Sequence, residues 1–174
     1  VARIVPLRDY THDLEAIAET VTPRTRIVFL ANPNNPTGTI FRREAWYDFL
    51  RAMRGRQLLV IADDAYADFV EDPDYPNTIS DRDDGSVPVV TLRTFSKLYG
   101  LAGLRIGYAV APPMVVEALG RVRQPFNVNS LALVGAVAAL DDIDHVRRTL
   151  DVNRAGMAQL TEGCAQLGVD VVPS

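Results

Sequence analysis

Lysine is nearly absent: of the 18 basic residues in this 174-residue chain, only Lys97 is a lysine and the rest are arginines. Arginine keeps its charge and cannot form a Schiff base, so a chain this biased retains lysine where a deprotonatable amine is needed. That singles out Lys97 without assigning it a task. Cysteine is as scarce. Cys164 alone cannot make an internal disulfide, and its place among small residues in a helical pattern reads as packing. Basic charge is not in excess either: a net charge of -4 and a pI near 5.1, with no compensating basic run, argue against nucleic acid as a partner. The longest apolar stretch, Leu131 to Leu140, falls far short of the roughly 20 residues of a membrane helix and reads as a buried helix, core rather than interface. The opening at Val1 lacks a basic region, an apolar core and a cleavage signal, so no membrane and a cytoplasmic location are expected. His12 and His145 stand in helical, polar surroundings without charge partners, which reads as surface or capping roles.

What is present is an ordinary globular composition, 48% hydrophobic and 23% charged, in a chain long enough to bury a substantial core. Leu14, Ile17, Ala18 and Val21 recur at helical spacing before Pro23 stops the element. The run Ile27 to Ala31 is a buried strand that enters the turn-forming Asn32-Pro33-Asn34-Asn35-Pro36-Thr37-Gly38. A helix over Glu44 to Met53 follows, with Ala45, Trp46, Phe49, Leu50 and Met53 on one face and Gly55 closing it. Further strands are expected at Leu58 to Ala62, Val87 to Leu92 and Ile106 to Ala111, with a polar, proline-rich surface loop over Glu71 to Ser86. Helical patterns then occupy Met114 to Val122, Ser130 to Leu140 and Asp144 to Leu167, and Val169 to Val172 reads as a strand beginning. Continuous apolar strands interleaved with helices predict an α/β fold, a three-layer sandwich whose mainly parallel central sheet is covered on both faces. The composition shift at Asp141 to Asp144 is the best domain boundary, separating 1–141 from 142–174.

Open α/β sheets bind ligands beyond the carboxyl ends of their strands, and three such ends carry chemistry here. Asn35 is an amide held between two prolines and a glycine, which alone is a rigid turn. Asp63-Asp64-Ala65-Tyr66 places a carboxylate at a strand end and a phenol three residues on. Two acids there also suit magnesium or a turn cap, but no further strand-end carboxylates supply a metal set, so no metal is expected. Thr94 to Arg105 (TFSKLYGLAGLR) combines hydroxyls, the amine, glycines and a guanidinium, a plausible phosphate cradle as well as a plausible solvated loop. It is not a Walker loop, because Lys97 precedes the glycines. Together the three ends suit a phosphorylated pyridine aldehyde, pyridoxal 5'-phosphate. Lys97 binds it covalently, Asp63 holds the ring nitrogen protonated, Asn35 and Tyr66 bond the phenolic oxygen, and Thr94, Ser96 and Arg105 take the phosphate.

NPNNPTG, ADDAY and TLRTFSKLYGLAGLRIGY, in this order, resemble the fold-type-I aminotransferases, particularly the histidinol-phosphate branch, and the segment Gln124 to Ser130 resembles that branch too. The resemblance implies the large cofactor-binding domain of a pyridoxal-phosphate transaminase of histidine biosynthesis, acting on an amino donor and a 2-oxo acid as a homodimer. It implies Lys97 as the Schiff-base lysine, with Lys97, Asp63 and Tyr66 catalytic. It also implies that 1–141 is the central part of that domain and 142–174 a long helix opening a small domain. Family members have about twice this length, with an N-terminal segment and most of the small domain in addition. Asp64 departs from the glutamate common in the family, a change expected to be tolerated. Other readings of the same motifs are an aromatic or other amino-acid aminotransferase, a phosphothreonine-type decarboxylase, and an aminotransferase-like effector domain of a transcription regulator. A structural module without chemistry would require several independent strand-end coincidences.

Overall fold

Period-two burial runs through the central strands: Val28 and Leu30, then Val60 and Ala62, then Val89 and Thr91 each turn a nearly inaccessible side chain to the same face. In this computed structural model, which describes residues 1–173 except 82 and 84, those strands are β3 (Ile27–Ala31), β4 (Leu59–Asp63) and β5 (Val89–Thr94). β4 pairs in parallel with both neighbours, Ala31 lying opposite Asp63 and Asp63 opposite Leu92. β6 (Gly107–Val110) completes the four-stranded order β3-β4-β5-β6. Ahead of the sheet, β1 (Leu7–Arg8) and β2 (Thr11–His12) form a small antiparallel hairpin whose turn residues Asp9 and Tyr10 both have positive φ.

The helices follow their sequence signals closely. α1 (Leu14–Thr20) starts where the Asp13 carboxylate accepts the Ala16 N–H at 3.0 Å. α2 (Arg43–Met53) buries Trp46, Phe49, Leu50 and Met53 against the sheet core, while Ala45, expected on that face, is exposed. Trp46 stacks between Phe41 and Phe49, and its indole N–H donates to the Asp81 carbonyl. α3 (Pro113–Val122), α4 (Ser130–Asp141) and α5 (Ile143–Gln166) complete the chain.

Several expectations are corrected. The 71–86 excursion is not simply a surface loop: Pro76 and Thr78 are fully buried, Asp81 pairs with Arg43, and Asp72 pairs with Arg42. Its residues 82 and 84 lie outside the described ones. α4 is not a buried helix, since only Ala132 and Ala136 are covered and Leu131 and Val134 are 74% and 70% exposed. Small side chains are what pack here: the α4 stripe meets Leu101 and Leu104, and a Cβ on Gly135 would come within 2.9 Å of Leu104. The second sheet face is open at β3, where Ile27 and Phe29 are 57% and 55% exposed. No strand forms over 169–172 among the described residues, and Ser174 lies outside them.

The chain divides into two compact units. One comprises Val1–Arg93 and Tyr108–Arg123 with the sheet and its core, and the other comprises Thr94–Gly107 and Gln124–Pro173. Among the described residues no helix is long and apolar enough to cross a membrane.

Candidate active site

In the first unit, the turn-rich segment after β3 is held by side chains that replace missing strand partners. Asn32 exchanges two hydrogen bonds with the Phe41 backbone, its Nδ2 donating at 3.2 Å and its Oδ1 accepting at 3.0 Å. Gly38 donates its N–H to the Asn34 carbonyl at 2.7 Å with a φ of 71°, a left-handed turn that suits glycine. The hydroxyls of Thr37 and Thr39 both donate to the Tyr10 carbonyl, so the β1-β2 hairpin braces the loop. Asn35 stands exposed on it, between cis peptides at Pro33 and Pro36. The Asn32 N–H donates to the Asp63 carbonyl at 3.0 Å, which ties this loop to the neighbouring strand end.

Asp63, at the end of β4, is half-buried. Its Oδ1 accepts the Ala65 N–H at 3.2 Å, an Asx turn that orients the carboxylate and leads the chain to half-buried Tyr66. Asn35, Asp63 and Tyr66 therefore occupy the segments leaving two adjacent parallel strands at their carboxyl ends.

His12 is corrected from a surface role. Burial holds its imidazole below the usual histidine value, hydrogen bonds with the Ala31 backbone and the Asn34 side chain acting the other way. Its Nε2 is buried without a hydrogen-bond partner among the described residues.

The second unit carries the other half of the predicted set. The Phe95 N–H donates to the Ile106 carbonyl at 3.2 Å, so the loop between them leaves and returns at one place, bringing Arg105 back beside its start. Within it the Leu101 N–H bonds the Phe95 carbonyl at 2.9 Å and the Gly100 N–H bonds the Lys97 carbonyl at 3.0 Å. This tight turn buries Phe95 and Leu98 and leaves Lys97 exposed. Thr94 Oγ1 accepts the Ser96 N–H at 3.1 Å, which leaves its own hydroxyl proton to point elsewhere. Arg105 is exposed and left-handed, at φ 57° and ψ 53°, with Nη1 donating to the Ala102 carbonyl at 2.7 Å. An amine, two hydroxyls and a guanidinium share one short loop, a donor set suited to an anion and an electrophile.

The sequence reading missed the most buried charge in the first unit. Asp64 is 0% exposed, and its Oδ2 accepts from the Thr78 hydroxyl at 2.8 Å and lies 3.3 Å from an Arg93 guanidinium nitrogen. Thr78 also bonds Thr91, and Arg93 pairs with Asp68 at 3.0 Å. Asp64 Oδ1 and Arg93 Nε are buried without partners among the described residues. The signal was available in the alternation, because Val60, Ala62 and Asp64 share a face, as do Val89, Thr91 and Arg93. Asp64 is thus placed in the protein's own polar network, beneath the turn that carries Asp63. Tyr75 closes it from above by donating to the Asn32 carbonyl, and burial, with the Asp64 charge, pushes that phenol upward.

Burial pushes the Asp64 carboxyl from 3.8 up to about 6; the Thr78 hydrogen bond and the Arg93 charge act against it, and the Asp63 and Asp68 charges add to it. An acid raised in the folded state keeps its proton after the unfolded chain has lost one, so stability falls as pH rises through this window and is level above it. Asp64→Asn removes that proton. Urea unfolding between pH 3.8 and about 6 is expected to lose a fall of up to about 3 kcal/mol, at ~1.4 kcal/mol per unit. An unchanged slope in the variant would show that Asp64 does not titrate there.

No group of three or more His, Cys, Asp or Glu residues capable of holding a metal occurs among the described residues. The family model for aminotransferase class I and II matches residues 2–174. The chain is 50% identical over 170 residues to histidinol-phosphate aminotransferase of Moorella thermoacetica, covering 98% of this chain and 44% of that protein. It is 49% identical to histidinol-phosphate aminotransferase 1 of Nitrosococcus oceani, covering 98% of this chain and 45% of that one. The crystal structure of histidinol-phosphate aminotransferase from Sinorhizobium meliloti, in complex with pyridoxal-5'-phosphate, superposes with a TM-score of 0.87 at 31% identity, over 98% of this chain and 46% of that one. The chain spans a little under half the length of the curated relatives it matches. The α/β architecture predicted from the strand pattern is the fold-type-I transferase fold, and the chain belongs to the class I and II aminotransferase family.

Proposed function

We propose that this chain is the cofactor-holding part of a pyridoxal-phosphate-dependent aminotransferase, with histidinol phosphate as amino donor and 2-oxoglutarate as acceptor in histidine biosynthesis. The observation that carries the reading is the Phe95–Ile106 loop, which presents Lys97 on a tightly bonded turn together with Thr94, Ser96 and Arg105. The donor set fits the cofactor. Thr94, Ser96 and Arg105 would hold its phosphate, because hydroxyls and a guanidinium fork satisfy several anionic oxygens at once. Asp63 would accept the ring N–H on its second oxygen, the first being engaged by Ala65. Asn35 and Tyr66 would donate to the phenolic oxygen.

When bound, the cofactor supplies an electron sink for the pair left at the substrate Cα. Lys97 would attach it through Nζ and, once displaced by the amino donor, act as the base that moves the Cα proton. Asp63 would hold the ring nitrogen protonated. Lys97, Asp63 and Tyr66 are the catalytic assignments; all seven residues touch the cofactor in this reading. Residues 1–141 belong to the large domain and 142–174 open the small one. The relatives' names support the substrate, and in this reading the full-length enzyme is a cytoplasmic homodimer acting on small molecules, with neither nucleic acid nor membrane as partner.

Full-length protein supplied with pyridoxal phosphate, histidinol phosphate and 2-oxoglutarate is expected to form glutamate, faster than with phenylalanine as donor. Preference for phenylalanine would move the substrate to the aromatic class. Failure to bind the cofactor would overturn the reading.

A further inference from the structure

The lysine turn is also gripped from α5. His145 Nε2 lies 3.2 Å from the Leu98 carbonyl, one residue after Lys97 and 47 residues away along the chain. A carbonyl only accepts, so Nε2 carries the proton at this contact. The Thr149 hydroxyl flanks the same nitrogen at 3.3 Å, one helical turn onward. At the start of α5 the Asp142 carboxylate caps the helix by accepting the backbone N–H of His145 at 2.9 Å. The ring also packs on bare backbone: a Cβ added to Gly100 would lie 3.8 Å from both Cε1 and Nε2, and Gly100 has a φ of 68°. Leu98 is itself buried, so its carbonyl needs a donor there. His145 therefore has a task beyond the surface or capping role its surroundings suggested.

We propose that His145 is a positioning residue for Lys97, its Nε2–H bond to the Leu98 carbonyl holding the turn in the form that presents the amine to the cofactor. The inference rests on Lys97 being the cofactor lysine. A merely structural anchor for α5 would tolerate any side chain of similar bulk, whereas a donor at this position cannot be replaced by bulk alone. The change His145→Gln would bring an amide N–H close to the place of Nε2. An asparagine is too short to do so, and a leucine fills the space without a donor.

The test uses the full-length protein carrying His145→Gln, His145→Asn or His145→Leu. In the cofactor-free form, hydrogen exchange at the Gly100 and Leu101 amides is expected to quicken about 3- to 10-fold in the Leu and Asn variants, as loss of one hydrogen bond implies. The Gln variant should restore it. In the loaded form, the induced circular dichroism of the cofactor band should weaken in the Leu and Asn variants and recover in the Gln variant, with kcat falling more than KM rises. Wild-type exchange and dichroism in the Leu variant overturn the inference, as does a Gln variant no better than the Asn one. Should the Leu variant not fold, the comparison of the Gln and Asn variants decides alone. A wild-type protein that shows no cofactor band while the exchange pattern holds would sink the Lys97 assignment and leave the His145 contact standing.

Discussion

Lys97→Ala should abolish the cofactor's lysine-bound absorbance band and lower turnover on the order of 10⁴-fold or more, since the attaching amine and the proton-moving base are lost together. No second lysine exists in this chain to substitute for it. The turn itself should survive, because its closing bonds, Leu101 to Phe95 and Gly100 to Lys97, run through backbone atoms. Lys97→Arg separates charge from chemistry: it keeps a cation on the turn, yet a guanidinium cannot condense with an aldehyde. The arginine variant is thus expected to retain noncovalent cofactor binding while remaining without the band. Absorbance spectra of the loaded full-length proteins, with turnover measured beside them, check both. An unchanged band in Lys97→Ala would show that the cofactor is attached elsewhere or not at all.

Arg93→Met should destabilise the protein by about 3–5 kcal/mol, a large part of the ~5–15 kcal/mol that separates folded from unfolded states. The loss comes less from the missing attraction than from what stays behind, an Asp64 carboxylate that is 0% exposed with no cation beside it. Thr78 alone would remain to satisfy it. The penalty should therefore grow as pH rises above about 6, a value that the Arg93 charge helps to hold down, and shrink at lower pH, where Asp64 carries a proton with or without Arg93. Pairing the change with Asp64→Leu should recover much of the stability, because a buried ion pair replaced by apolar side chains of similar volume is often neutral. Urea unfolding of the two single variants and the double variant at two pH values tests this. If the double variant is no more stable than Arg93→Met, the buried carboxylate is not the source of the cost.

The same pair marks the limit of what the linear chain discloses. Asp63, Asn35 and Lys97 stood out as candidate strand-end chemistry only when taken together, because each follows an apolar run and turn formers announce the loops. α2 and the four sheet strands lie within one or two residues of their expected places for the same reason. Asp64 was a different matter. Its burial was legible from alternation with Val60 and Ala62, yet its partner depends on parallel register, which places the end of β4 beside Arg93, and on a chain excursion that returns Thr78 to the sheet.

His145 looked isolated because its partner, the Leu98 carbonyl, is distant in sequence. Apolarity likewise misled over α4, where the side chains that pack are the small ones, Ala132 and Ala136, and the large ones face outward. Local propensity and motif spacing thus determined the elements, the family resemblance and the candidate site residues. The tertiary structure alone decided which polar groups share a buried face and which turn is gripped from another element, because hydrogen-bond partners and burial arise from contacts between residues far apart along the chain.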